Sequence, residues 1–344
     1  MTAREYPVFT VTPKAERSLR AGHPWVYGEE VTAVEGAYQN GDMVDVVSNK
    51  GRYLGTGWVN DHSKIRVRII SRNANDTFDE AFFRRRVCYA LNYRKTVMGP
   101  VDYRCCRLIF GEADQFPGLT VDRFENILVT QVLSLGMERR KDWVYRALVE
   151  LLREDGEQID AIYERNDVTI RTLEGLEQGK GFYQMEGLRT DLSGHVTITE
   201  NGIKYDVDYI EGQKTGFFLD QKYNRQASAK LARGRRVLDC FTHTGAFALN
   251  AAAAGAEHVT AVDVSAFALE LAAENGKRNG LTNLDYKCAD VFDLLTEMAK
   301  EKKCDYDYII LDPPAFTKSR ATAKNAYHGY KEINRKAMRL LPRG

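Results

Sequence analysis

Between residues 236 and 314 the chain repeats one arrangement of apolar and polar positions four times: a short apolar run that closes on an aspartate. The runs cover 237–239, 259–263, 284–290 and 308–312 and end at Asp239, Asp263, Asp290 and Asp312. Alanine-rich, helix-forming segments separate the first three. Strands that alternate with helices predict a parallel sheet, and such sheets bind ligands at the carboxyl ends of their strands. Four carboxylates are therefore expected along one sheet edge.

The first 72 residues carry a different pattern. Short β-branched runs at 44–47, 53–58 and 65–70 are broken by glycines, and only 14–20 has helical character. Ile65, Val67 and Ile69 alternate with Arg66 and Arg68, which predicts one buried and one basic face. Residues 1–72 read as a small β-rich domain, and the polar stretch 72–76 as a linker. Beyond it comes a helix over 79–94 with Phe82, Phe83, Val87 and Leu91 on its apolar side. Strands at 118–122 and 127–132, a helix at 139–154 and a strand at 161–164 follow. Residues 73–190 thus form a compact α+β domain. A strand-rich stretch at 196–209 then opens the alternating region, so the third domain spans 191–344.

Composition changes this picture little. With 344 residues, 44% apolar and 28% charged, the chain is long enough for two or three domains with a sizeable core. A net charge of +1 provides no global field for nucleic acid, leaving only local clusters such as Arg84, Arg85 and Arg86. The six cysteines, at 88, 105, 106, 240, 288 and 304, make no Cys-x-x-Cys pair and have no zinc-like His spacing. The amino terminus has no apolar signal core, and no run reaches membrane-spanning length. The expectation is a cytoplasmic protein with reduced thiols, no metal and no membrane segment.

The chemistry concentrates after the first aspartate. Asp239-Cys240-Phe241-Thr242-His243-Thr244-Gly245 reads as a strand end, a loop and a helix start, with Thr244 as the cap and Gly255 closing the helix. A dinucleotide would require a Gly-x-Gly-x-x-Gly turn for its pyrophosphate, and only Gly245 is present. A cofactor without a pyrophosphate needs fewer glycines, and loop amides can hold the carboxylate of a methionine moiety. S-adenosylmethionine is the expected cofactor. Asp239, with Cys240 and Thr242 of its loop, is placed near the sulfonium or amino group. Asp263 is placed to accept both ribose hydroxyls, and Asp290 the adenine amino group, with Val264 and Val291 flanking the ring. The plainer alternative makes these aspartates helix caps, which would suit one of them more easily than four in register. Asp312-Pro313-Pro314 is a stiff turn without backbone donors at the prolines, presenting Asp312 to a planar base.

Four segments together resemble a known family. They are 212–225 (Gly-Gln-Lys-Thr-Gly-Phe-Phe-Leu-Asp-Gln-Lys-Tyr-Asn-Arg), 238–247 (Leu-Asp-Cys-Phe-Thr-His-Thr-Gly-Ala-Phe), 311–319 (Leu-Asp-Pro-Pro-Ala-Phe-Thr-Lys-Ser) and 328–334 (His-Gly-Tyr-Lys-Glu-Ile-Asn). In combination they resemble the RlmI-like class I methyltransferases, which convert a cytosine of large-subunit (23S) ribosomal RNA to 5-methylcytosine. The resemblance implies an α/β fold: a Rossmann-like methyltransferase domain preceded by a PUA-like RNA-binding domain and a small α+β domain. It also implies that Phe218, Asp220, Gln221 and Arg225 lie over the cofactor or the target base. Trp25, Arg66, Arg68, Arg225 and Lys318 are the expected RNA contacts, ribosomal RNA the partner, and a homodimer a candidate assembly.

The resemblance fails at one point. Family members use a cysteine in the strand after the Gly-Tyr-Lys helix, and none follows Tyr330 in this sequence. The expectation is an incomplete last domain whose nucleophile lies beyond residue 344, so that residues 1–344 do not form 5-methylcytosine and Asp312 is the one catalytic candidate present. The rivals are methylation of a guanine ring nitrogen and a cofactor-binding RNA-binding protein without catalysis. Ala315, between Pro314 and Phe316, argues against amino-group methylation, which favours an aromatic directly after Pro-Pro.

Overall fold

The amino-terminal pattern folds into two sheets that share a core. The computed structural model describes residues 5–301, 304–317 and 322–342. Strands β1 (Val8–Val11), β2 (Trp25–Tyr27), β3 (Val31–Glu35), β4 (Met43–Ser48), β5 (Tyr53–Val59) and β6 (Ile65–Ser71) form one sheet, with helix α1 (Pro13–Arg20) packed on it. After it come α2 (Glu80–Val97), α3 (Pro100–Tyr103), β7 (Cys105–Phe110), β8 (Leu119–Phe124), β9 (Ile127–Val132), α4 (Leu135–Glu138), α5 (Lys141–Glu154), β10 (Ala161–Asn166) and β11 (Gly179–Phe182). Strands β7 to β11 make a five-stranded sheet in the order β11-β10-β9-β8-β7. Asp79 caps α2 by accepting from the Phe82 amide at 2.9 Å, as its sequence position suggests.

The boundary expected at residue 72 is not a break in packing. Met43, Trp58 and Ile70 share one buried cluster with Phe82, Leu108 and Met137. Residues 1–196 and 207–217 accordingly form one compact unit, and 197–206 with 218–344 form the second. The helix expected at 139–154 is α5 and starts at Lys141, because Arg140 (φ −125°) leaves helical geometry; the short helix α4 lies just before it.

The second unit carries the alternating pattern. Its elements are the tip of the hairpin β12 (His195–Glu200) and β13 (Ile203–Asp208), then α6 (Lys222–Ala229), β14 (Arg236–Cys240), α7 (Ala246–Ala253), β15 (His258–Asp263), α8 (Ala266–Arg278), β16 (Leu284–Cys288), α9 (Val291–Glu301), β17 (Tyr308–Leu311) and α10 (Ala323–Leu340). Strands pair in the order β16-β15-β14-β17, all parallel. Side chains alternate between two buried faces. Val237, Val259 and Ile310 meet the alanines of α7, whereas Leu238, Cys240 and Val262 meet Leu294 and Leu295 of α9 and Ile333 of α10. Small alanine side chains let α7 lie close to the strands. Asn275 of α8 and Asn279 just past its end accept from the Asp206 and Lys204 amides, fixing the hairpin tip. No described helix is long and apolar enough to cross a membrane.

Candidate active site

Parallel pairing brings the carboxyl ends of the four strands of the second unit to one edge, and the predicted aspartates come with them. Asp239, the penultimate residue of β14, is buried; its Oδ2 accepts from Thr242 Oγ1 at 2.6 Å and from the Ala248 amide at 2.9 Å. The acid thus holds both the loop and the first turn of α7. Thr244 is not the cap: the N-cap residue is Gly245, which makes no side-chain cap, and Asp239 satisfies an orphan amide from within the sheet. Phe241 (φ 63°) and His243 (φ 52°) sit in the left-handed region, a conformation that costs a non-glycine residue about 1–3 kcal/mol and marks a loop held from outside. Gly245 (φ 83°) is required twice over, since a Cβ there would meet Leu249 and Ala272 at 2.8 and 2.9 Å.

Asp263 closes β15. Its Oδ2 accepts from the His243 amide at 2.9 Å and its Oδ1 from the Ser265 amide at 3.0 Å. Each oxygen keeps acceptor capacity, which suits a pair of neighbouring hydroxyls. Beside it Val264 and Phe267 are 73% and 66% exposed, an apolar surface next to an acid. Asp290 caps α9, its Oδ1 accepting from the Phe292 and Asp293 amides at 2.8 and 3.1 Å. The plainer alternative therefore holds for this residue, although its Oδ2 remains available.

At the end of β17, Asp312 accepts from Gln221 Nε2 at 3.1 and 3.3 Å, and Gln221 Oε1 accepts from Asn224 Nδ2 at 2.6 Å. Past the two prolines, Phe316 lies 4.4 Å from the Tyr330 ring, and its amide donates to Tyr330 Oη at 3.3 Å. Phe218 meets His243 edge-on at 5.5 Å.

Several expectations need correction. Cys240 belongs to the cofactor loop in sequence, but its side chain is buried among Leu238, Val262 and Leu294, and burial pushes its thiol well up. Val291 is buried in that same cluster and does not flank a ring at the edge; Val264 is free to do so. Arg225 is buried rather than turned to RNA. Its guanidinium grips both oxygens of buried Glu200 at 2.7 and 3.0 Å and donates to the Phe218 carbonyl at 2.7 Å. In the first unit, the expected basic face is neutralised. Arg68 pairs with Glu174 at 2.7 Å and Glu112 at 3.3 Å beneath Trp25, and Arg66 pairs with Asp61 at 2.9 Å. Trp25 itself donates to Glu112 at 2.9 Å, within ring contact of His23 and Tyr27. Lys318 lies outside the described residues. Asn224, His243 and Phe267 were not singled out: the first two lie within the quoted segments 212–225 and 238–247, but their contacts with Gln221 and Asp263 appear only in the fold, and no motif marks Phe267.

Charge accumulates at this edge. Burial pushes the Asp239 carboxyl up to about 7; the hydrogen bonds from Thr242 and Ala248 counter it, and repulsion from Asp312 and Asp263 adds to it. Asp312 is also raised, by burial and then by Asp220, against the pull of Arg225. The His243 imidazole is lowered by burial, with Asp263 opposing. These carboxylates are close enough to repel one another, so the edge favours a cationic ligand.

Comparison with known proteins agrees with this geometry. A PUA-like domain family matches residues 9–72, and an S-adenosylmethionine-dependent methyltransferase family matches 183–344. A protein from Photobacterium profundum named ribosomal RNA large subunit methyltransferase I is 41% identical over 332 residues, spanning 96% of this chain and 81% of its own. The protein of that name from Shewanella denitrificans is 42% identical over 336 residues, spanning 96% and 82%. Among solved structures, one described as an S-adenosylmethionine-dependent methyltransferase from Streptococcus mutans has a TM-score of 0.78 at 23% identity, covering 97% of this chain and 83% of its own. A methyltransferase complexed with S-adenosylhomocysteine has a TM-score of 0.79 at 23% identity, covering 98% and 83%. Those two likenesses establish the fold.

S-adenosylmethionine is the cofactor of this domain, and the residues present fit it. The acidic edge complements an ammonium and a sulfonium. Asp263 can accept a diol with both oxygens, and the exposed Val264 and Phe267 offer a surface for a flat base.

Proposed function

Since the chain belongs to the ribosomal RNA large subunit methyltransferase I family, we propose that it transfers a methyl group from S-adenosylmethionine to C5 of a cytosine in large-subunit ribosomal RNA. The observation that carries the reading is Asp312, held at the end of β17 by an uncharged donor and raised by burial toward keeping a proton.

S-adenosylmethionine supplies an electrophilic methyl group on a sulfonium. Asp239 balances its positive charge, Asp263 takes the ribose hydroxyls, and Asp290 Oδ2 takes the adenine amino group. Asp312 faces the base: in its protonated form it donates to cytosine N3 while its second oxygen accepts from the N4 amino group. With N3 protonated, C6 becomes electrophilic, and a thiolate adding there leaves C5 enamine-like and nucleophilic toward the sulfonium methyl; loss of the C5 proton to water with expulsion of the thiolate from C6 then restores the ring, and N3 returns its proton to Asp312. A stacked base is out of reach, so the target cytosine is unpaired or flipped out. The thiolate is none of the cysteines of the second unit. Cys240 is buried in the core, Cys288 lies on β16 at the opposite edge of the sheet from β17, and Cys304 precedes β17 at its amino end.

The first unit gives the RNA a landing surface, with exposed His23 and half-buried Trp25 and Tyr27 as stacking candidates. Tritiated methyl transfer to unmodified large-subunit ribosomal RNA, digested to nucleosides, tests the proposal. Any label is expected in 5-methylcytidine. Label in a methylated guanosine would replace this reading with ring-nitrogen methylation.

A further inference from the structure

We propose that Gln221, latched by Asn224, is a positioning residue that fixes the Asp312 carboxylate toward the target base. This rests on the reading of Asp312 as the base-facing acid. Both ends of the Gln221 amide are engaged: Nε2 donates to the two Asp312 oxygens at 3.1 and 3.3 Å, and Oε1 accepts from Asn224 Nδ2 at 2.6 Å. The latch therefore decides which way the amide points, and it points its donor at the acid.

Local structure suggests that this contact has a use beyond stability. Gln221 ends the short turn Leu219–Gln221 and is the N-cap residue of α6, yet its side chain caps nothing. The amide spans instead from the start of α6 to the end of β17. Asn224, three residues on, lies on the adjoining helical face, where a side chain can reach Gln221.

The chemistry of an amide suits the task. A lysine or arginine would hold the carboxylate equally well, but its charge would pull the acid firmly into the ionised form. Gln221 orients Asp312 without adding charge. The other charged groups acting on it are Asp220 in the turn, Arg225 on α6, itself paired with Glu200, and Asp239 on β14. Asp220 and Arg225 act in opposite directions, so the acid can still exchange a proton with the base.

The experiment uses the full chain, with Gln221→Met, which keeps length and removes the donor, and Asn224→Ala, an exposed site that tests the latch. Asp312 is followed by carbon-13 carboxyl NMR, assigned with Asp312→Asn. Loss of one hydrogen bond to the charged form should raise the Asp312 midpoint by about half to one pH unit in Gln221→Met. Asn224→Ala should move it in the same direction by less, and S-adenosylhomocysteine should bind both variants within about twofold of wild type. An unmoved midpoint in a folded Gln221→Met, or in Asn224→Ala should Gln221→Met fail to fold, would overturn the proposal. Label found in a base other than cytosine would defeat the C5 reading instead, while the Asp312 titration would still decide the positioning.

Discussion

Asp239 reaches out of the sheet to the amide of Ala248, nine residues on, at 2.9 Å, and so ties the end of β14 to the first turn of α7. The bond comes with a pH dependence. Burial raises the acid to about 7, whereas an unfolded chain ionises it in the ordinary carboxylate range near 4. Between those values the unfolded state has lost the proton and the native state keeps it, so stability from this group falls as pH rises and levels off above 7. Asp239→Asn keeps the acceptor and cannot ionise. Its stability relative to wild type should be more favourable at pH 8 than at pH 5, by on the order of 2 kcal/mol. Denaturant unfolding at the two pH values measures this, and an equal difference at both would show that Asp239 is not held protonated.

The same proton should appear in cofactor binding. A cationic ligand favours the ionised acid, so S-adenosylmethionine should bind more tightly as pH rises from 6 to 8, with release of a proton near pH 7. Calorimetry in two buffers of different ionisation enthalpy reads the proton directly. Identical apparent enthalpies at pH 7 would mean that Asp239 does not change state.

Gly136 should be intolerant of any side chain, because a Cβ would sit 2.0 Å from Cγ of Trp58. Gly136→Ala should cost about 1–3 kcal/mol or more, through displacement of the indole at the joint between the two sheets of the first unit. Thermal unfolding checks it, and a wild-type midpoint would show that Trp58 can move aside without loss.

RNA affinity should depend on exposed His23 and half-buried Tyr27, at the start and end of the segment that includes β2, rather than on Arg68. Replacing His23 and Tyr27 together with alanine should weaken binding by about 1–3 kcal/mol for each base that stacks there, at an unchanged thermal midpoint. Filter binding across a salt series is the measurement. Deleting residues 1–72 is a poor substitute, because it would strip Met43, Trp58 and Ile70 from a shared core.

The sequence made the site's frame legible because each strand-end aspartate closes its own apolar run, a local signal that parallel pairing converts into a cluster. What it hid depends on distant partners. Arg225 meets Glu200 from 25 residues away, and Arg68 meets Glu174 from 106, so neither charge could be known to be spent. Cys240 was misplaced for another reason: the sheet is packed on both faces, and an apolar run in such a strand does not say which side chain faces the core. Val291 opens α9, and its place next to Asp290 does not show that the first turn of that helix carries it into the core. Thr244 looked like the cap by spacing, but the bond came from Asp239 in the preceding strand.

That the strand-end carboxylates form the cofactor site is tested most directly at Asp263. Calorimetry should show S-adenosylhomocysteine binding the wild-type chain and Asp263→Ala binding it more weakly by about 1–3 kcal/mol, the scale of hydrogen bonds to a charged acceptor. Equal affinity in the two proteins would remove Asp263 from the ribose and contradict the account.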